Sequence, residues 1–204
     1  MSEGRFTGFA GVRRVATGSL VHVVLQLKEL ADAGVGDPLV LIDDERGDTV
    51  HLSLHGTPEE LRARLEAAFS EEEAPRGRGR GRPKLGVVSR EVTLLPRHWA
   101  WLAEQPGGAS ATLRKLVEQA SRERAPHDRA RRARDAAYRF MYVMAGNLPG
   151  FEEASRALFR GDVDKLEEEI RPWPPDIRAH LLELVHRARE LAREAETTEK
   201  ASEG

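Results

Sequence analysis

The most constraining stretch of this 204-residue chain is a strip in which a cation occupies every second position. Its residues 76–84 read Arg-Gly-Arg-Gly-Arg-Gly-Arg-Pro-Lys. The strip has no apolar side chain to bury, its glycines lose much entropy on ordering, and its like charges repel one another. It therefore cannot fold on its own, and the segments on either side must build their own cores. An extended cationic segment of this kind is suited to lie along a polyanion.

Within the strip, residues 80–83 (Arg-Gly-Arg-Pro) resemble the core of the AT-hook, a short motif that lies in the minor groove of A·T-rich DNA. A narrow minor groove has an enhanced negative potential that attracts arginine, and glycine lets the backbone approach the groove closely. Arg/Gly strips also bind RNA or single strands, or serve as soluble spacers between domains. The residues predicted to contact nucleic acid are Arg76, Arg78, Arg80, Arg82, Lys84, Arg90 and Arg97.

The net charge of -2 conceals a basic middle between acidic ends. Residues 76–139 carry 16 Lys and Arg against 6 Asp and Glu, whereas residues 1–70 and 140–204 both carry more acidic than basic side chains. This distribution is expected of a nucleic-acid contact zone flanked by domains with other roles. Charge-paired packing of the three parts against one another would produce the same pattern.

The composition predicts a globular protein of the cytoplasm. Hydrophobic residues make up 40% of the chain, which is enough for a core. No apolar run approaches the length that spans a bilayer, and the polar start does not resemble a signal peptide. The chain has no cysteine, which excludes disulfides, thiol nucleophiles and thiolate metal sites.

Residues 1–70 predict a small α+β domain with the element order β-β-α-β-β-α. Two short strands flank Ala10 and Gly11, and a helix capped by Ser19 follows. Residues 38–42 and 49–54 are expected to form a hairpin, and the capping box in residues 57–60 begins a second helix. Polar, Pro- and Gly-rich composition then marks residues 71–87 as a flexible basic linker.

The rest of the chain predicts one strand followed by a mainly helical half. Residues 88–125 are expected to contain a strand ending at Leu95, a helix opened by Pro96 and a second helix capped by Ser110. Residues 126–196 predict a helical domain that begins with a long helix over about 126–145, and residues 197–204 predict a disordered tail.

The strand-helix-helix order of residues 88–122 resembles the ribbon-helix-helix fold of bacterial repressors and antitoxins, in which the strand pairs with its twin from a second chain. The resemblance implies a homodimer. One face of the predicted strand shows Glu91, Thr93 and Leu95, and the other shows Arg90, Val92 and Leu94. Neither is a good base-reading surface, which should be rich in Arg, Lys, Asn, Gln or Thr, and Glu91 would repel phosphate. This region is therefore better suited to dimerisation than to reading sequence.

Four segments taken together resemble a bacterial family known only as a domain of unknown function, number 2239. The segments are residues 78–88, 91–99, 105–110 and 137–141. The resemblance extends over about residues 5–190. It implies no activity, substrate, cofactor or catalytic residue.

Side chains that carry catalysis or bind metals do not form a recognisable pattern. His51 and His55 straddle a strand end, and His180 and His186 are six residues apart, off the spacing that places two ligands on one helical face. The sequence therefore predicts no metal, no cofactor and no enzymatic activity. Several aromatic and methionine side chains could line a ligand pocket, although helical spacing is more typical of a core. They are Phe140, Met141, Met144, Phe151 and Trp173.

These observations predict a cytoplasmic, homodimeric nucleic-acid-binding protein with no membrane association. DNA is favoured over RNA, and the role expected is that of a DNA-associated regulator or accessory factor. The alternative is a protein-interaction or scaffold module in which the strip is a spacer or docks on an acidic partner. An uncharacterised enzyme or a ligand sensor is the third option.

Overall fold

The structure is a computed structural model that describes residues 5–73 and 88–202. Residues 76–84, the Arg/Gly strip, therefore lie outside the described residues. The fold class is α+β, as predicted, with a three-stranded antiparallel sheet followed by a mainly helical half. The elements in chain order are β1 (Phe6–Ala10), β2 (Arg13–Gly18), α1 (Leu20–Asp32), β3 (Leu39–Asp43), α2 (Pro58–Glu73), α3 (Pro96–Glu104), α4 (Gly108–Ala145), α5 (Phe151–Arg160), α6 (Val163–Ile170) and α7 (Pro175–Ser202).

The chain divides into two compact units. Residues 5–69 and 126–202 form one, called here the sheet-helix unit, and residues 70–125 belong to the other, called here the middle unit. The prediction treats residues 1–70 and 126–196 as separate domains. In the structure these two segments pack around a shared core instead.

Both strand pairs of the sheet are antiparallel, and the strand order is β2-β1-β3. The two short strands predicted on either side of Ala10 and Gly11 are present, and they pair as a hairpin. Its loop consists of Gly11 and Val12, and Gly11 has φ 57°, a conformation that a two-residue hairpin loop favours at its first position. A bulge in β2 shifts the register between Gly8 and Phe9.

The central strand β1 is buried on both faces. On one face α1 lies so close that a Cβ on Gly8 would stand 2.8 Å from Val23 Cγ1. On the other face, the Phe9 ring packs 5.7 Å from both the Phe140 ring and the His180 ring.

Two clusters of buried side chains make up the core. The first joins the sheet to α1 and α2, with Val23, Leu41 and Leu61 among its members. The second joins Phe9 and Ile42 of the sheet to the C-terminal helices. Trp173 anchors one end of the second cluster, because its indole N–H donates to the Pro149 carbonyl over 2.7 Å. The segment between α6 and α7 thus meets the segment between α4 and α5.

Helix starts follow their capping signals. The Glu60 N–H donates to Thr57 Oγ1 at 3.3 Å and the Thr57 N–H donates to Glu60 Oε2 at 2.9 Å, which completes the predicted capping box. Ser19 Oγ caps α1, and Asp162 caps α6 by accepting from the Lys165 N–H. No helix in the described part of the chain is both long and apolar enough to cross a membrane.

The predicted hairpin of residues 38–42 and 49–54 is wrong, so the observed N-terminal order is β-β-α-β-α. After β3 only one isolated bridge forms, between Ile42 and Thr49, and residues 50–56 adopt no strand. The Arg64 guanidinium of α2 explains the difference. It donates to the carbonyls of Ser53 at 2.6 Å and His55 at 3.3 Å and so holds this segment against α2.

The predicted strand at the start of the 88–125 segment is also wrong. Residues 88–95 have no regular structure, because no strand among the described residues pairs with them and a lone strand leaves its backbone groups without partners. Pro96 begins α3 as predicted. The ribbon-helix-helix resemblance therefore lacks its strand in this structure.

Two further boundaries differ from the prediction. The helices expected to begin at Ser110 and Pro126 are one helix, α4, with Pro126 inside it. An interior proline costs roughly 3 kcal/mol, and strong helix formers, Arg, Glu and Ala, surround it. The tail predicted to be disordered from residue 197 is helical as far as Ser202. There the hydroxyls of Thr197 and Thr198 donate to the carbonyls four residues earlier.

Candidate functional site

Most of the residues predicted to contact nucleic acid lie outside the described residues: Arg76, Arg78, Arg80, Arg82 and Lys84. The other two, Arg90 and Arg97, belong to the middle unit and are both exposed. Arg90 precedes α3 and Arg97 lies in its first turn. Neither forms an ion pair with the acidic side chains that the structure describes, so both guanidinium groups are available to a partner.

Helix α4 brings a second set of arginines to the surface of the sheet-helix unit. Ala136 and Ala137 are buried and Ala133 is half-buried, and the arginines between and beside them flank both edges of this small-residue stripe. Small residues allow close approach, and the turn after β3 comes so near that a Cβ on Gly47 would stand 2.1 Å from the Ala136 carbonyl oxygen. The arginines of α4 on the two sides of the stripe line two different grooves.

The first groove, called here the Arg129 groove, lies between α4, α7 and the turn after β3, with a volume of about 380 Å³. Arg187 crosses it to Glu45 at 3.7 Å. Arg129 and Arg132, which also line it, form no ion pair within residues 5–73 and 88–202. The groove therefore carries uncompensated positive charge.

The second groove, called here the Arg134 pocket, lies on the opposite flank of α4, where α5, α6 and α7 complete its wall, with a volume of about 330 Å³. Its floor is apolar and includes Leu158, Leu166 and Val185. Four arginines contribute to its lining: Arg131, Arg134, Arg160 and Arg189.

A buried polar network joins the sheet to α7. Thr7 Oγ1 donates to Asp44 Oδ2 at 2.9 Å, and His180 Nε2 lies 3.1 Å from Asp44 Oδ1. The second contact is close enough for an ion pair but is not aligned as a hydrogen bond, and it leaves both ring nitrogens of His180 without a hydrogen-bond partner in the described chain. His180 is 1% exposed and Asp44 is 3% exposed.

This network resembles a catalytic dyad only in its residue types. A histidine and a carboxylate act in nucleophilic catalysis when a nucleophile and a substrate can reach them. Here the hydroxyl in contact is that of Thr7, which is fully buried and also lies 3.1 Å from Thr17 Oγ1. With Thr7, Asp44 and His180 all buried, the network connects the sheet to α7.

Glu183 continues the network toward solvent. Its carboxylate accepts from Arg14 at 2.7 Å and from Arg5 at 3.0 Å. Burial raises the pKa of the Glu183 carboxyl, but the hydrogen bond from Arg14 and the charges of Arg14, His180 and Arg5 together outweigh burial and hold the pKa below its ordinary value. Glu183 is therefore a charged link between α7 and the first two strands.

Sequence reasoning missed the roles of Asp44 and His180. His180 lies among Ile177, Leu181 and Leu184, and this place on the apolar face of α7 was a signal of burial. Asp44 gave no such signal, because turns are usually exposed. The convergence of Arg134, Arg160 and Arg189 from three helices likewise has no signature in local spacing.

The aromatic and methionine side chains considered as a ligand pocket belong to the hydrophobic core. Phe140, Met141 and Trp173 are buried in it, and Met144 and Phe151 pack against it. The part of the chain that the structure describes also contains no group of three side chains placed to hold a metal ion.

Comparison with known proteins gives a match at the level of a family. No curated protein and no solved structure matches the chain. The match covers residues 5–185, which includes most of the sheet-helix unit and the whole of the middle unit with the Arg/Gly strip. The chain belongs to the family described as an uncharacterized protein conserved in bacteria, DUF2239.

Proposed function

We propose that the protein binds nucleic acid through the Arg/Gly strip, duplex DNA in preference to RNA, and acts in the cytoplasm as a DNA-associated regulator or accessory factor. The alternation of arginine with glycine in residues 76–82 carries the proposal. Such a segment buries nothing of its own, and its charge density suits a phosphate backbone. The Arg-Gly-Arg-Pro sequence at residues 80–83 adds the features that favour a narrow minor groove.

The arginines of α4 support the same proposal independently of the strip. Arg129 and Arg132 line a groove without an acidic partner in the described chain, and Arg187 and Arg46 line it too. Unpaired guanidinium groups at a groove can bind phosphate oxygens, which fixes position on nucleic acid without reading sequence. The sheet-helix unit therefore offers polyanion contacts of its own.

Exposed apolar side chains of the middle unit support a homodimer. Trp99 is 43% exposed, Trp101 is 49% exposed and Val117 is 65% exposed. Apolar surface of this kind commonly marks a protein-protein contact. A dimer would present two Arg/Gly strips. Once one strip is bound to a nucleic acid, the other strip is held at a high effective concentration near the same molecule, which raises the overall affinity.

The proposal is tested by measuring the affinity for a labelled A·T-rich duplex across a series of salt concentrations, beside single-stranded DNA and duplex RNA. If the five cations of the strip neutralise about five phosphates, log K should fall against log salt with a slope of roughly -4 to -5. Replacing Arg80→Ala and Arg82→Ala together should remove most of the duplex affinity and flatten the slope.

The matched control removes two exposed arginines elsewhere, Arg62→Ala and Arg193→Ala, so that the change in net charge is the same. This control should keep the affinity and slope of the unaltered protein. Equal duplex affinity in the strip variant and the control would overturn the proposal.

The second candidate function is a protein-interaction module, and the exposed tryptophans of the middle unit favour it as well. In that case the strip is a spacer or docks on an acidic partner. Sedimentation equilibrium of the protein and of the Trp99→Ser, Val117→Ser double variant separates the two uses of this surface. A dimer that dissociates in the variant supports self-association, whereas a monomer in both indicates that another protein covers the surface.

A further inference from the structure

The Arg134 pocket has an apolar floor. Side chains from three helices form it: Leu158, Val163, Leu166, Val185 and Ala188. All five are buried in the hydrophobic core, so the floor is a fixed wall of the fold. A volume of about 330 Å³ lies at the lower end of the range for small-molecule sites. Apolar lining favours a ligand that has an apolar body.

The charge at the rim of the pocket is positive. Arg134, Arg160 and Arg189 form no ion pair within the described residues, and Arg131 pairs with Asp128 at 2.9 Å. The one acidic side chain that lines the pocket is Asp162, and its Oδ1 already accepts from the Lys165 N–H at 3.1 Å as the cap of α6. The rim therefore favours an anionic group.

Arg134 is held in place while its donors stay free. Its guanidinium carbon lies 5.3 Å from the centroid of the Phe159 ring, in a cation-π contact. Its Nε is buried and has no hydrogen-bond partner among the described residues. A buried donor without an acceptor carries a free-energy cost, and an anion in the pocket would relieve it.

We propose that the Arg134 pocket binds a small organic anion, a molecule with a carboxylate, sulfonate or phosphate head on a flat apolar body. The head pairs with Arg134 and with Arg160 or Arg189, and the body lies on the floor made by Leu158, Leu166 and Val185. Arginine suits this role because its planar group can stack on an aromatic ring and still donate to an anion. The proposal concerns a site apart from the Arg/Gly strip and does not depend on nucleic-acid binding.

The test uses two fluorescent probes of similar shape that differ in charge. The anionic probe is 8-anilinonaphthalene-1-sulfonate and the neutral one is N-phenyl-1-naphthylamine. We expect the anionic probe to bind the full-length protein saturably with one site per chain. Replacing Arg134→Gln and Arg189→Gln together should weaken it at least about tenfold, since each lost charge-assisted hydrogen bond corresponds to about that factor. The neutral probe should change little.

Two matched variants accompany the arginine variant. Arg193→Gln removes an exposed cation from the same helix, α7, outside the pocket, and should leave the binding of both probes unchanged. Ala130→Leu adds bulk to the pocket wall and should weaken both probes. Thermal unfolding tests whether each variant is folded. If an arginine variant does not fold, Arg160→Gln takes its place, because Arg160 is exposed.

Competition decides what kind of anion is preferred. Phenyl phosphate and benzoate should displace the anionic probe at lower concentrations than inorganic phosphate, which lacks an apolar body. Excess duplex DNA should not displace it. Displacement by DNA would instead assign these arginines to a polyanion surface and overturn the proposal. Unaltered probe affinity in both the arginine variant and Ala130→Leu would overturn it as well.

Discussion

At the scale of single residues, Gly47 is where the turn after β3 touches α4. Its φ is 72°, a left-handed conformation that residues with a side chain adopt at a cost. It is also buried against the helix, where an added Cβ would stand 2.1 Å from the Ala136 carbonyl oxygen. Conformation and close approach thus both require glycine at this position.

Replacing Gly47→Ala should lower the free energy of unfolding by roughly 3 kcal/mol, because about 1 to 2 kcal/mol arises from the positive φ and the remainder from the overlap. Gly34→Ala is the matched control, since Gly34 has φ 73° and no atom within 4 Å of its added Cβ. It should lose only the conformational part. Urea unfolding measures both, and equal losses would contradict the close contact with α4.

Asp44 is the second residue on which the fold depends, because it meets both Thr7 and His180 inside the core. Replacing Asp44→Ala removes the acceptor of the Thr7 hydroxyl and the carboxylate that lies beside the His180 ring, and it should lower the free energy of unfolding by roughly 3 kcal/mol. Glu45→Ala removes a neighbouring but exposed carboxylate of the same turn and should cost less than about 1 kcal/mol. Thermal or urea unfolding compares the two, and losses of similar size would show that the network is not tied to stability.

At the scale of elements, α7 is joined to the sheet by ion pairs as well as by packing. Glu183 accepts from Arg14 of β2 and from Arg5 just before β1. The Arg14 backbone N–H also donates to Asp176 Oδ2 at 2.8 Å in the first turn of α7. Contacts between residues more than 160 positions apart hold one helix to two strands.

This junction should depend on pH in the acid range. The folded-state pKa of Glu183 is lowered, so its stabilisation is present above the unfolded value of about 4.3 and is lost as pH falls through the lower folded value. We expect Glu183→Gln to be less stable than the unaltered protein at pH 7, by under about 1 kcal/mol because the pair is partly exposed. The difference should vanish on acidification. Urea unfolding at several pH values measures it, and a difference that grows toward low pH would contradict this assignment.

At the scale of the whole molecule, the sheet has two helical covers that come from opposite ends of the chain. Helices α1 and α2 cover one face, and the C-terminal helices cover the face that carries Phe9 and Ile42. Fully burying a side chain of this size contributes about 1.5 to 3 kcal/mol. Removing the C-terminal cover would expose several such side chains at once.

A fragment of residues 1–70 should therefore not fold by itself, although its length and pattern suggest a small independent domain. Far-UV circular dichroism and amide hydrogen exchange should show little protected structure in the fragment. Adding a second fragment of residues 126–204 should restore some of it, because that fragment supplies the missing face. A stably folded 1–70 fragment would contradict the shared core.

Local patterns predicted the helices that have a cap and an apolar face. The capping box at Thr57, the cap of α1 at Ser19 and the two strands beside Gly11 all depend on residues close in sequence, and each is present. The predictions failed where a distant side chain decided the outcome. Arg64 draws residues 53–55 toward α2, so the second hairpin does not form, and Glu199 near His127 lies in a segment expected to be disordered.

The candidate sites divide in the same way. The Arg/Gly strip is recognisable in the sequence because its chemistry lies in consecutive residues. The Arg134 pocket is not, because Arg134, Arg160 and Arg189 belong to three helices that the chain order does not place together. The same is true of the Asp44 and His180 pair, whose members are separated by most of the chain.

By itself, then, the sequence determined the α+β class, most of the helices and a cationic segment suited to a polyanion, because periodicity, capping and charge alternation act between neighbours. Only the tertiary structure decided that the two ends of the chain share one core and that arginines from separate helices meet over an apolar floor. Those outcomes depend on which surfaces from distant parts of the chain pack against each other, and the spacing of residues along the sequence does not show that.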